Sequence, residues 1–157
     1  MKKSVSLILY NIRSTYNVGA IFRTADACGV EKVYLVGYTP APVDEFGRAD
    51  SGIAKTAIGA EKNILWERVM NLSRLISKLK KEGIQIIALE QSPRAIDYKK
   101  IKPQYPCTLI LGEEVEGIPA KLLAKCDIIA EIPMKGKKES LNVSVATGVA
   151  LYRMLGI

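Results

Sequence analysis

Runs of apolar residues alternate along the chain with stretches whose apolar positions recur at helical spacing. Val5 to Ile12 is mostly apolar and predicts a first strand. Between Gly19 and Cys28 the apolar positions Ile21, Phe22, Ala25 and Cys28 follow helical spacing, and Gly29 stands where a left-handed cap ends a helix. Val33 to Val36 predicts a strand closed by Gly37. Tyr38 to Gly52 contains Pro40, Pro42 and Gly47 and predicts a long loop. A short helical piece over Ile53 to Ile58 and a short strand over Asn63 to Trp66 follow. Arg68 to Glu82 has the clearest amphipathic pattern. Val69, Leu72, Leu75, Ile76 and Leu79 share one face, Arg74, Lys78, Lys80 and Lys81 lie elsewhere, and Gly83 sits at the expected cap. Ile84 to Leu89, Cys107 to Leu111 and Ile128 to Ile132 predict further strands. Leu141 to Leu155 is apolar on most sides and predicts a buried helix.

Strands that alternate with helices predict an α/β fold, a parallel sheet flanked by helices. Continuous apolar strands fit a sheet covered on both faces. No shift in composition divides the chain, and its 157 residues are expected to form one domain. In such sheets ligands bind beyond the carboxyl ends of the strands, so the segments that follow strands are the places to look for chemistry.

Composition narrows that chemistry. There is no histidine, which removes the commonest general base, the commonest metal ligand and every Ser-His or Cys-His pair. Cys28, Cys107 and Cys126 are odd in number and lack CxxC spacing, so neither a disulfide framework nor a zinc site is expected, and no metal. The net charge of +7 favours phosphate-rich partners and equally serves solubility. No apolar run approaches the ~18 residues that a membrane span needs. The start, Met1 to Tyr10, turns from basic to apolar as a signal peptide does, but Asn11 and Arg13 end the run without a small-residue cleavage site. A first strand and a cytoplasmic location are the expectation.

Three strand-following segments stand out. Asn11-Ile12-Arg13-Ser14-Thr15-Tyr16-Asn17-Val18-Gly19 leads into a helix bearing Arg23. Gly112-Glu113-Glu114-Val115-Glu116-Gly117 follows Leu111, and Pro133-Met134-Lys135-Gly136-Lys137-Lys138-Glu139-Ser140-Leu141-Asn142 follows Ile132. No Gly-x-Gly-x-x-Gly or Walker loop follows a strand, which leaves a dinucleotide or nucleoside triphosphate fold unsupported. Each polar residue has a simple structural explanation. Arg23 can snorkel from an apolar helix, Asn17 can cap it, Glu113 and Glu114 can complement a helix dipole, and Ser140 can cap the last helix with Asn142 extending the cap.

Together, however, the segments resemble a family. Asn11 to Ala27, Leu111 to Ile118, and Ile132-Pro133-Met134 with Ser140 to Ala146 are similar, in order, to the three motifs of the SpoU/TrmH-type RNA methyltransferases of the SPOUT class. The resemblance spans nearly the whole chain. It implies a single SPOUT domain over residues 1–157 with a C-terminal trefoil knot and without a separate RNA-binding domain. It also implies a homodimer with the active site near the subunit interface.

The implied reaction is methyl transfer from S-adenosylmethionine to a ribose 2′-hydroxyl of tRNA or rRNA. The cofactor contacts carried over are Leu89, Glu90, Gly112, Ile132, Met134 and Leu141. Arg23 matches the catalytic arginine. A guanidinium stays protonated in proteins, so its expected work is to stabilise a developing oxyanion and grip phosphate. Asn17, Glu114, Ser140 and Asn142 match the other polar positions. Arg13, Arg48, Lys55, Lys135, Lys137 and Lys138 are candidate RNA phosphate contacts by charge and position. The shortest family members, some acting at the tRNA wobble position, match this chain in size, whereas its first two motifs look more like those of longer rRNA- and tRNA-acting members. Two alternatives are a base methyltransferase of the same knotted class, which usually lacks the Asn17/Arg23 arrangement, and a non-catalytic RNA-binding protein that keeps the fold.

Overall fold

The computed structural model describes residues 2–157. Its elements in chain order are β1 (Val5–Tyr10), α1 (Thr15–Cys28), β2 (Lys32–Val36), α2 (Ser51–Ala57), β3 (Leu65–Val69), α3 (Leu72–Lys81), β4 (Gln85–Leu89), β5 (Ile96–Asp97), β6 (Cys107–Leu111), α4 (Ala120–Leu123), β7 (Ile128–Glu131) and α5 (Val143–Leu155). The strands form one seven-stranded sheet in the order β3-β2-β1-β6-β4-β7-β5. Every named pair is parallel. This is the expected sheet, and its central strands β1 and β6 are covered on both faces, as their apolar runs require.

Two apolar layers sandwich the sheet. One packs Leu7, Leu9, Val33, Leu109 and Leu111 against Ile21, Phe22 and Ala25 of α1 and Leu151 and Met154 of α5. The other packs Ile8, Tyr34, Ile86 and Ile110 against Leu72, Leu75, Ile76 and Leu79 of α3. Both apolar sets follow from the period-2 alternation of strands and the stripe of an amphipathic helix. Cys107 is buried and Cys28 and Cys126 are half-buried. Burial pushes the Cys107 thiol up to about 12 and the Cys126 thiol up to about 11, so both stay protonated and unreactive.

Several boundaries differ from the pattern's expectation. Arg68 and Val69 end β3 rather than open a helix, and α3 begins at Leu72 with Asn71 as its cap. β3 is an edge strand with mostly exposed side chains, so its polar residues read as helix. The first helix starts four residues earlier than Gly19, at Thr15. The last helix is not buried all round, since Val145 and Tyr152 are exposed.

Candidate active site

β1 ends at Tyr10, and the next residues turn sharply. Asn11 has a φ of 53° and its Oδ1 accepts the Tyr38 N–H at 3.1 Å. A Cβ on Gly37 would lie 1.8 Å from that oxygen, so only glycine fits there. The Ile12 N–H donates to the buried Thr39 Oγ1 at 3.1 Å, and the Thr39 hydroxyl lies 2.9 Å from both the Leu9 and Val36 carbonyls. The segment entering α1 is thus tied to the loop that follows β2.

Ser14, not Asn17, caps α1, its hydroxyl accepting the Asn17 N–H at 3.2 Å. Asn17 lies inside the helix, and its carboxamide is free for other work. Its Nδ2 donates to Glu114 Oε1 at 3.3 Å, and its Oδ1 accepts from Asn142 Nδ2 at 3.1 Å. Asn142, not Ser140, caps α5, accepting the Ser144 and Val145 amides at 2.9 and 3.4 Å. A single line of side chains, Glu114–Asn17–Asn142, therefore joins the segments after β1, β6 and β7.

Beside this line is a cleft of about 570 Å³. Leu89, Glu90, Gly112, Ile132, Met134 and Leu141 all line it, with Glu114, Ser140 and Asn142. The floor is formed by strand ends, and the walls by three loops. A Cβ at Gly112 would meet Ile118 Cγ1 at 2.6 Å and the Gly117 carbonyl carbon at 2.9 Å, so the backbone packs there without room for a side chain. Glu90 does more than line the cleft. Its carboxylate accepts the Ile118 N–H at 3.0 Å and the Gln91 N–H at 3.1 Å, and burial pushes its pKa above the usual carboxylate range despite those bonds.

Glu113 was legible only as a dipole charge, yet its side chain is turned back onto its own loop. It accepts the Val115 and Glu116 amides, and chiefly the Glu116 bond, aided by the Arg13 charge, holds its pKa below the ordinary range. Gln91, Glu131, Glu139, Val143 and Ala146 also line the cleft. Glu131 ends β7, Gln91 and Glu139 lie in loops that follow strands, and Val143 and Ala146 belong to the first turn of α5. A position at or beyond a strand end is the signal that finds them. A second hollow of about 470 Å³ lies against the same Glu113–Glu116 stretch, lined also by Arg13, Ser14 and Asn17.

The basic residues are spread more widely. Arg13 stacks over Tyr38, 5.3 Å from the ring centroid. Arg48 pairs with Asp44 at 2.7 Å. Lys55 lies over Tyr16 at 5.7 Å. Lys135, Lys137 and Lys138 are exposed on the β7–α5 loop. Arg23 is exposed on α1 and does not line either hollow. Among the described residues no cluster of acids and cysteines suited to a metal occurs, and no helix is long and apolar enough to cross a membrane.

Comparison with known proteins bears on this arrangement. The 23S rRNA (guanosine-2'-O-)-methyltransferase RlmB of Coxiella burnetii is 36% identical over 148 residues, 94% of this chain and 56% of that protein. The chain spans just over half the length of the curated relatives it matches. The AdoMet-bound rRNA methyltransferase from Sinorhizobium meliloti superimposes with a TM-score of 0.88 at 29% identity, covering 98% of this chain and 56% of that one. A structure described in terms of 2-OH methylation of C/U34 on tRNA gives a TM-score of 0.80 at 25% identity and covers 98% of this chain and 97% of its own. The family model for the SpoU rRNA Methylase family matches residues 4–152, a stretch that holds all three motif loops and every wall of the cleft, and the chain belongs to that family.

Proposed function

We propose that this chain transfers a methyl group from S-adenosylmethionine to a ribose 2′-hydroxyl of tRNA or rRNA. The cleft carries this reading. Its volume suits a ligand of that size. Ile132 and Leu141 offer apolar surfaces for an adenine ring, and the strand-end backbone offers amides and carbonyls for its edge. Glu90, Glu113, Glu114, Glu131 and Glu139 around it suit a positively charged sulfonium. Bound there, the cofactor supplies a methyl group that is already electrophilic.

The protein's share is positioning and charge. Asn17, held between Glu114 and Asn142, fixes the boundary between the cleft and the second hollow, where the ribose would enter. Arg23 would steady the oxygen as it loses its proton and grip the adjoining phosphate. Its own chain does not seat it in the cleft, which favours a homodimer whose interface completes the site. The exposed Tyr16, Val145 and Tyr152 on α1 and α5 supply apolar surface for such contact. A single domain, the family's C-terminal trefoil knot and a cytoplasmic location belong to the same proposal.

The test is direct. The protein is incubated with total RNA and labelled S-adenosylmethionine, and the RNA is digested to nucleosides. Label in 2′-O-methyl nucleosides is the expected result. Label in bases would point to a base methyltransferase instead. Failure to bind the cofactor, with RNA binding intact, would leave a non-catalytic RNA-binding protein.

A further inference from the structure

Phe46 is 74% exposed, yet it sits on a hydrogen-bonded turn. Val43 and Ala49 form an antiparallel bridge beneath it. The Asp44 N–H donates to the Arg48 carbonyl at 2.9 Å. Asp44 Oδ1 accepts the Phe46 and Arg48 amides, both at 2.9 Å, and Oδ2 accepts Arg48 Nε at 2.7 Å. Gly47, at a φ of 77°, lets the chain reverse. The Arg48 guanidinium lies 5.0 Å from the Phe46 centroid. Nε is spent on Asp44, and the terminal nitrogens have no hydrogen-bond partner among the described residues. A single exposed apolar residue is ordinary. An exposed ring on a turn held by four hydrogen bonds, under a half-free guanidinium, is a prepared surface.

The turn leads straight into α2, whose start packs against the start of α1, a Cβ on Gly52 lying only 2.1 Å from Thr15 Oγ1, so its base stands at the carboxyl end of β1. β1 lies between β2 and β6, which puts about 10 Å between the ends of β2 and β6. Arg13 stacked on Tyr38 occupies that interval and also lines the second hollow.

We infer that Phe46 and Arg48 form a stacking platform for an unpaired nucleotide flanking the methylated one, an inference that rests on RNA being the substrate. A ring takes the face of any base, and a guanidinium beside it reaches the sugar–phosphate chain. Asp44 and Glu45 flank the ring, so stacking rather than general phosphate attraction carries the contact. Single-stranded RNA is therefore preferred to duplex.

The native chain and the variants Phe46→Ala, Phe46→Leu, Phe46→Tyr and Phe46→Trp are compared for binding to a mixed-sequence single-stranded RNA and to its duplex, and for methyl transfer to total RNA. Phe46→Ala and Phe46→Leu are expected to weaken single-strand binding roughly tenfold and raise the KM for RNA alike, with S-adenosylmethionine affinity unchanged. Phe46→Tyr and Phe46→Trp retain binding, and the added indole emission of Phe46→Trp is quenched by single strand more than by duplex. Equal affinity in Phe46→Ala, rescue by Phe46→Leu, or equal loss on duplex would overturn the platform. If the native chain binds single strand in this pattern but methylates no RNA, the platform stands and the proposed reaction fails.

Discussion

The side-chain amide of Asn142 donates to the side-chain carbonyl of Asn17 at 3.1 Å, across 125 positions of sequence. Its own carbonyl meanwhile caps α5. The two tasks use different atoms and are separable. Asn142→Asp keeps the cap acceptor but loses the donor, and sets a charge against the Asn17 oxygen. Its melting temperature is expected to stay near that of the native chain while methyl transfer falls roughly tenfold. Asn142→Ala loses about 1 kcal/mol of capping as well and melts about 2–4 °C lower. A native transfer rate in Asn142→Asp would mean that the Asn17 link serves structure alone.

Arg23 is exposed on α1, and its side chain makes no hydrogen bond or ion pair among the described residues. Arg23→Ala is expected to keep the native melting temperature and S-adenosylmethionine affinity, and to lose at least about 100-fold in methyl transfer. Arg23→Lys keeps the charge without the planar fork and should recover only part of that rate. Near-native turnover in Arg23→Ala, measured with labelled cofactor, would remove this residue from the mechanism.

Gly112 leaves no room for a methyl group against Gly117 and Ile118. Gly112→Ala is expected to push the Glu113–Ile118 loop outward. S-adenosylmethionine affinity, measured by calorimetry, should drop about tenfold or more, with the far-ultraviolet spectrum unchanged. Undiminished affinity would show that the loop yields without disturbing the cleft.

Two carboxylates hold that loop with opposite pH signatures. Glu113 is held below its ordinary 4.5 by the amides of its loop, so its stabilisation is present above that value and is lost as pH falls through the folded pKa. Glu90 is raised above 4.5 by burial, so its contribution is greatest below 4.5 and is lost as pH rises through the folded value. In a melting-temperature series from about pH 3.5 to 8, Glu113→Gln should lessen the loss on acidification. Glu90→Gln, which keeps an acceptor for Ile118, should gain on the native chain as pH rises. The reverse order of these trends would contradict the assignment.

The buried strands were legible because β1, β2, β4, β6 and β7 are short apolar runs bounded by turn residues. Gly112, Ile132, Met134 and Leu141 come from the family motifs and Leu89 and Glu90 from a looser match after β4, and all six line one cleft because these segments follow strand ends. β3 was misread in part, since an edge strand with Glu67 and Arg68 facing water has no apolar alternation to show. β5, two residues long, and α4, four residues long, fall below any period. The caps were misplaced because Ser14, Asn17, Ser140 and Asn142 are all acceptable capping residues, and only the tertiary path selects among them. Phe46 gave no signal at all, because a lone aromatic in a polar loop carries no pattern.

The placement of β1 has a consequence for how the chain is made. Leu7 lies beside Val33 on one side and Leu109 on the other. On a ribosome adding about 5–20 residues per second, the first neighbour arrives within seconds and the second only about 5–20 s after Leu7. In that interval a mostly apolar strand displays an open edge to every other nascent chain nearby. Yield on expression should therefore depend on translation speed and holding chaperones more than on the stability of the finished protein.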